Sequence, residues 1–331
     1  MLTPNALPDE AIARFRTDIA NLARRPSFVN DLADGLIGIA ISGGPDSVAL
    51  LLLAEATFPG RVVAATVDHR LRAASGREAR FVADLCRAMG VPHTTLVLEN
   101  MARGNVSAAA REARYDALDD WADANLVGWL LTAHHADDQL ETMAMRLNRA
   151  SGVAGLAGIR SRRGRIVRPL LGWRRAELVG IVTAAGIVAV DDPSNRDDRY
   201  DRARLRKALA GADWLDPLAI VRSAAALDEA DRALDWTVLK LRDERLVDGA
   251  DDWTYDASGL PAELLRRALI DCLRVVDPAS RPRGTTIERL LNALQGNATG
   301  TLGRVRCSAR NGHWRFTLAA PRRVKATSGR D

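Results

Sequence analysis

The sequence predicts an α/β fold: a doubly wound, parallel five-stranded sheet followed by a second, smaller α-rich domain. Three observations carry this. Apolar runs of strand length alternate with amphipathic stretches of helical period as far as about residue 171, the pattern of a parallel sheet covered by helices. Beyond Leu215 the alternation stops and long helical stretches take over. Polar clusters stand at the ends of three apolar runs, at Ser42–Ser47, Asp68–His69 and His134–Asp138, where such sheets place their ligands.

Each element has its own signal. Residues 9–26 carry Ile12, Phe15, Ile19 and Leu22 at helical spacing. G-L-I-G-I-A-I (35–41) is a first strand, and S-V-A-L-L-L-L-A-E-A (47–56) is the helix leaving it. R-V-V-A-A-T-V-D-H (61–69) is a second strand, and residues 76–90 are a helix with Gly90 as its stop. H-T-T-L-V-L (93–98) is a third strand, followed by a long helix over about 106–125. G-W-L-L-T-A-H-H (128–135) and D-D-Q-L-E-T-M-A-M-R-L (137–147) form the fourth strand and helix, and G-R-I-V-R-P-L-L (164–171) the fifth strand. Residues 217–247, 260–275 and 285–295 read as helices. Residues 300–318 then alternate like a hairpin with Asn311-Gly312 at the turn.

The 331 residues suffice for about two domains, expected at 1–215 and 216–331. No apolar run approaches the roughly 20 residues of a membrane span, and M-L-T-P-N-A-L-P-D-E lacks the basic and apolar regions of a signal peptide. A cytoplasmic location is therefore expected. Cys86, Cys272 and Cys307 include no C-x-x-C pair, which argues against a zinc ribbon or a redox dithiol. The net charge of +5 hides a segregation: −4 over residues 1–159, +6 over 160–215, −6 over 216–280 and +9 over 281–331. Two basic zones separated by acidic ones suit a polyanion met at particular places. A solvated, arginine-rich surface would give the same counts.

The stretch after the first strand, Ser42, Gly43, Gly44, Pro45, Asp46, Ser47, surrenders packing. Its glycines let the backbone approach a ligand and turn amide donors inward. The helix that begins there adds the positive end of its dipole, and the serines add hydroxyls. This is phosphate-binding chemistry, although neither G-K-[ST] nor G-x-G-x-x-G is present. Asp46 would repel a phosphate by itself and makes sense as a ligand of a magnesium ion bridging phosphates. The same Gly-Gly-Pro-Asp run is also ordinary turn chemistry.

S-G-G-P-D-S matches the S-G-G-x-D-S signature of the PP-loop ATP pyrophosphatases, which cleave ATP between its α and β phosphates. Within that superfamily the chain resembles the tRNA(Ile)-lysidine synthases over roughly residues 37–207. The resemblance rests on V-D-H-R-L-R (67–72), A-A-R-E-A-R-Y (109–115), T-A-H-H-A-D-D-Q-L-E-T (132–142), S-G-V-A-G-L-A-G-I (151–159), R-P-L-L (168–171) and D-P-S-N…R-x-x-x-R (192–206). Ala150 departs from the family's R-G-S-G, and the length suggests a short form without an extra terminal domain.

What the resemblance implies is an enzyme that uses ATP and free L-lysine to convert the wobble cytidine of the CAU anticodon of tRNA-Ile to lysidine. It also admits a homodimer. It implies functional roles for Asp137 and His135 and adds Glu141 as a magnesium or water ligand or an arginine's partner. Asp46 and Asp137 are the expected metal ligands, and Asp137 the expected proton acceptor for the lysine ammonium. Arg111, ahead of Arg114, is expected near the α-phosphate, while Arg202, Arg206, Arg168 and Arg114 are expected to meet tRNA. On bland readings the same acids complement a helix dipole, and the same arginines make solvated helix faces. Asp68 and His69 border the adenosine on the general rule for doubly wound folds. His93, His313 and most tryptophans read as structural. The main rival is a tRNA thiolase of the same superfamily, which usually needs paired cysteines. An amidotransferase-type synthetase would lack the basic zones. A decayed RNA-binding module would have lost Asp46 or the D-D-Q-x-E cluster.

Overall fold

The computed structural model describes residues 7–23, 35–68, 70, 75–98, 106–190, 201–209, 211–282 and 284–318, the side chains of 106–110 excepted. It divides into two compact units, Met1–Asp228 and Glu229–Asp331.

The first unit runs α1 (Asp9–Ala23), β1 (Leu36–Ala40), α2 (Pro45–Thr57), β2 (Val62–Asp68), α3 (Ser75–Ala88), β3 (His93–Val97), α4 (Val106–Ala124), β4 (Val127–Leu131), α5 (Ala136–Leu147) and α6 (Val153–Leu156). The hairpin β5 (Arg162–Arg163) and β6 (Ile166–Val167) follows, then a 3₁₀ turn Pro169–Gly172, α7 (Arg175–Ala184), α8 (Asp201–Leu209) and the start of α9 (Pro217–Arg245). Strand order is β3-β2-β1-β4-β6-β5. The pairings are parallel except the last, where β5 returns antiparallel on β6. The sheet therefore has six strands where the sequence predicted five. The fifth predicted strand pairs with β4 only at Ile166 and Val167, because Pro169 starts a 3₁₀ turn. The sixth strand is two residues long, too short to leave a period-2 signal.

Connections step from β1 out to β3, then return to place β4 on the other side of β1. The reversal lies between β1 and β4, so their carboxyl ends open a crevice. Helix α2 is buried from Ser47 to Ala54. It packs with α1 and α7 in one core that includes Phe15, Ile19, Leu50, Leu53, Leu178 and Ile181. The opposite face is covered by α4 through Leu118, Trp121 and Ala122.

The second unit corrects the α-rich expectation. β7 (Leu246–Asp248), β8 (Trp253–Asp256), β9 (Thr299–Leu302), β10 (Val305–Arg310) and β11 (His313–Leu318) form an antiparallel sheet in the order β7-β8-β11-β10-β9. Helices α10 (Ala262–Val276) and α11 (Gly284–Gln295) share its core through Leu269, Leu273, Ile287 and Leu291, packed with Cys307, Trp314 and Phe316. The predicted hairpin is β10–β11, closed at Arg310↔His313. Asn311 and Gly312 both have positive φ, 50° and 82°, as a type I′ turn requires. Arg267, almost fully buried, ties α10 to α9 through Asp231 at 2.5 Å and pairs with Glu263 of its own helix at 2.7 Å.

All three cysteines are buried. Burial pushes the thiols of Cys86 and Cys307 up to about 12 and that of Cys272 higher still. A thiol so protonated is a poor nucleophile. The folded protein is expected to leave Ellman's reagent unreacted over minutes and to release the colour of three thiols on unfolding. Rapid native labelling of any cysteine would contradict this burial.

Candidate active site

The loop after β1 is built around Ser47. Its hydroxyl donates to the Gly44 carbonyl at 3.0 Å and accepts the Ser42 amide at 3.2 Å. The Ser42 hydroxyl lies 3.2 Å from the same oxygen. Gly44 is the N-cap of α2 and Pro45 occupies its first turn, where a missing N–H costs nothing. The first-turn amides of Asp46 and Ser47 have no partner within the helix, by the geometry of any helix start. Gly43 has φ +87°, and the amide of Val190 donates to its carbonyl at 2.9 Å. A Cβ on Gly43 would lie 3.2 Å from Val82 Cγ2 and 3.3 Å from Val190 Cγ2. Gly43→Ala is therefore expected to cost about 1–2 kcal/mol in stability through left-handed strain and to raise the KM for ATP. Thermal unfolding and ATP titration check both.

The end of β4 faces this loop. His135 is the N-cap of α5: its own amide donates to Asp138 Oδ2 at 3.2 Å, and the Asp138 amide lies 3.3 Å from Nδ1. The ring is 2% exposed. Its Nε2 is 3.6 Å from Asp46 Oδ2 and 3.5 Å from Asp138 Oδ2, and Nδ1 is 3.6 Å from Asp137 Oδ2. The neutral ring accepts from the Asp138 amide at Nδ1, and the protonated ring pairs with the three carboxylates around it. Burial alone would lower the imidazole's pKa, but Asp137, Asp46 and Asp138 outweigh it and raise it to about 9.

Asp137 is gripped from the other side. Arg174 Nη2 donates to it at 3.1 Å, its Nε lies at 3.3 and 3.4 Å, and the Arg175 amide donates at 2.7 Å. Burial works against the charged carboxylate, yet His135, the Arg175 amide and Arg174 hold it well below the usual carboxylate range. Asp46 Oδ1, by contrast, is buried with no hydrogen-bond partner among the described residues; Arg175 Nε is 4.0 Å away. Glu141, 3% exposed, accepts from Arg202 Nε at 2.6 Å and from Arg206 Nε and Nη2 at 2.6 and 3.1 Å. Arg202 Nη2 also reaches Asp138 at 2.7 Å. Burial raises the pKa of Asp138, and the Glu141 hydrogen bond raises that of Arg206.

The structure thus brings Asp46, His135, Asp137 and Asp138 together and seats Glu141 as an arginine's partner. Arg202 and Arg206, expected to meet tRNA, turn inward onto α5. Arg168 is buried and donates to the Arg160 carbonyl at 2.7 Å. Arg111 is exposed and stacks over Tyr115 at 5.1 Å. Arg111, Arg114, Arg168 and Arg202 all act on His134, whose pKa burial and those four charges push well down, leaving it neutral. Burial also lowers the pKa of Arg114. Asp68 ends β2 and accepts the Arg70 amide at 2.9 Å. His69 and the D-P-S-N segment (192–195) lie outside the described residues. Gln139 is turned away from the crevice, where its Oε1 accepts the Ile159 amide at 2.6 Å.

Sequence reasoning missed Arg174 and Arg175, and it placed His134 in a polar cluster without giving it a role. The only signal for the arginines was the doublet after Leu171-Gly172-Trp173; nothing in the spacing tied it to Asp137.

Comparison with known proteins identifies the domain and the family. A PP-loop domain family matches residues 18–212. The tRNA(Ile)-lysidine synthase of Novosphingobium aromaticivorans is 42% identical over 320 residues, 95% of each chain. That of Zymomonas mobilis subsp. mobilis is 40% identical over 299 residues, 87% of this chain and 90% of the other. Among solved structures, a U34-tRNA thiolase from Methanococcus maripaludis superposes with TM-score 0.54 at 15% identity, covering 66% of this chain and 79% of its own. This last likeness shows the fold alone. With a matching domain, two relatives aligned almost end to end and a crevice of the right architecture, the chain belongs to the tRNA(Ile)-lysidine synthase family, ATP-dependent ligases built on a PP-loop domain.

Proposed function

We propose that this chain adenylates the wobble cytidine of the CAU anticodon of tRNA-Ile in the β1/β4 crevice and then exchanges the adenylate for free lysine. In the first step the C2 oxygen of cytosine attacks the α-phosphate of ATP, and pyrophosphate leaves. In the second a neutral lysine amine attacks C2, and AMP leaves. The loop 42–47 binds the departing diphosphate through amides and the α2 dipole. Arg111, with Arg114 behind it, offsets charge developing at the α-phosphate.

The observation that carries this reading is the buried Oδ1 of Asp46 beside the glycine loop, which accepts no hydrogen bond from the described residues and has the Arg175 guanidinium no nearer than 4.0 Å. An anionic oxygen left so is costly unless a cation meets it. Magnesium suits it: that ion needs only one or two carboxylates when phosphates supply the rest. Among the described residues there is no cluster of three or more His, Cys, Asp or Glu able to hold a metal unaided. Asp46 and Asp137 would hold the ion, which would neutralise phosphate charge. Asp137 is also the proposed proton acceptor for the lysine ammonium. In either role it must exchange the Arg174 guanidinium for the incoming cation, and His135 keeps it aligned meanwhile.

For tRNA, the exposed face of β10–β11 carries Arg306, Arg310 and Arg315, suited to phosphate contacts. The thiolase alternative is disfavoured because the cysteines are buried and strongly protonated.

The test is pyrophosphate release by the purified chain with ATP, magnesium and tRNA-Ile, followed by nuclease digestion and mass spectrometry after lysine is added. Release that depends on tRNA and a nucleoside enlarged by lysine support the reading. Release without tRNA, or a sulfur-containing product when a sulfur donor is supplied, overturns it.

A further inference from the structure

Most tryptophans follow the sequence reading: Trp121, Trp129, Trp173 and Trp314 are buried. Trp214 is not, at 79% exposed. It sits on the connection between α8 and α9, whose backbone is closely tied. The Leu215 amide donates to the Ala212 carbonyl at 3.0 Å, closing a turn about Asp213 and Trp214, and the Ala212 amide donates to Leu209 at 3.0 Å. Just beyond, the Asp216 carboxylate accepts the amides of Leu218 and Ala219 at 2.9 and 3.1 Å and so starts α9. The indole is therefore held in water on a pinned turn.

Its location gives it a use. Asp213 and Leu215, the residues on either side, line a cavity of about 440 Å³ together with Asp137, Glu141, Arg174 and Arg206. Trp214 lies between two of the lining residues, on the turn that borders the cavity containing the proposed proton acceptor. Arg175 also lines that cavity, so its three arginines face three carboxylates. Two of those arginines are already bonded to Asp137 and Glu141. The mouth has little net charge with which to attract a phosphate, and a cytosine ring is itself neutral. A neutral base that must leave its stack is held by an aromatic face, which every base can accept.

We propose that Trp214 is a stacking platform for an unstacked base of the tRNA anticodon loop at the entrance to the crevice. This rests on the tRNA-modifying reading above. The adenine of ATP has the same stacking chemistry, and the experiment separates the two. Affinities of wild type, Trp214→Ala and Trp214→Phe are measured for ATP and for an anticodon stem-loop RNA with a CAU loop, at one salt concentration. Loss of the indole is expected to weaken RNA binding about ten-fold, with Trp214→Phe within about three-fold of wild type. ATP affinity and the thermal midpoint stay unchanged. Stem-loops abasic at single loop positions then locate the contact: one of them weakens wild type as much as the alanine variant does and weakens that variant no further. The proposal is overturned if Trp214→Ala binds the stem-loop like wild type. It is equally overturned if ATP affinity falls while RNA binding holds, or if every abasic loss adds in full to the alanine loss. Wild-type pyrophosphate release reports separately on the function itself.

Discussion

Asp46→Asn should abolish tRNA-dependent pyrophosphate release, by about three orders of magnitude, with little change in the thermal midpoint. The change is nearly isosteric, so α2 and its core are undisturbed. What disappears is a negative charge whose Oδ1 accepts no hydrogen bond from the described residues and whose Oδ2 lies 3.6 Å from His135 Nε2. The Asp46 side chain is 29% exposed and its contacts with His135 and Arg175 are long, 3.6 and 4.0 Å, so losing them is expected to cost no more than about 1 kcal/mol. That pairing of lost activity with kept stability distinguishes a functional carboxylate from a structural one. Initial rates and calorimetry on the same preparation decide it. Activity within ten-fold of wild type would remove Asp46 from the chemistry, and a large fall in midpoint would make it a packing residue.

Glu141→Gln has the opposite signature. Glu141 joins α5 to α8: its side chain is 4% exposed, and Arg202 and Arg206 both end on it. Breaking a buried pair by removing one partner costs about 3–5 kcal/mol when the other charge stays buried. Here the guanidinium groups are 43% and 32% exposed and partly recover hydration, so a loss of about 2–3 kcal/mol is expected. The damage should be local. Amide exchange across Asp201–Leu209 should accelerate while that of α2 does not. Activity should fall with it, because Arg202 also holds Asp138. Unchanged exchange over 201–209 would show that α8 is held by something else.

How much of this was readable in the sequence depends on distance along the chain. The loop 42–47 and the Asn311-Gly312 turn were legible because both are local conformational demands: φ is +87° at Gly43 and +82° at Gly312. The strands β1, β2 and β4 were legible because burial on both faces leaves unbroken apolar runs. β7 and β8 were not, since strands of three and four residues give too few alternations to register. The pairing of Arg202 and Arg206 with Glu141 spans 61 and 65 residues, and no spacing rule reaches that far. The sequence placed those arginines on one helix face but could not say whether that face met carboxylates or RNA. Much of the first basic zone proves to be occupied in the same way: Arg160 pairs with Asp228, and Arg165 with Asp119 and Asp123. Net charge by segment had overstated what that zone presents to a polyanion.

The proposed function requires the crevice between β1 and β4 to transfer the α-phosphate group of ATP to a base of tRNA. Incubating the chain with tRNA-Ile and ATP labelled at the α-phosphate, with lysine withheld, tests it most directly. Label bound to the RNA, and discharged as AMP when lysine is added, is the expected result. Label that never enters the RNA, or that appears as ADP, would contradict it.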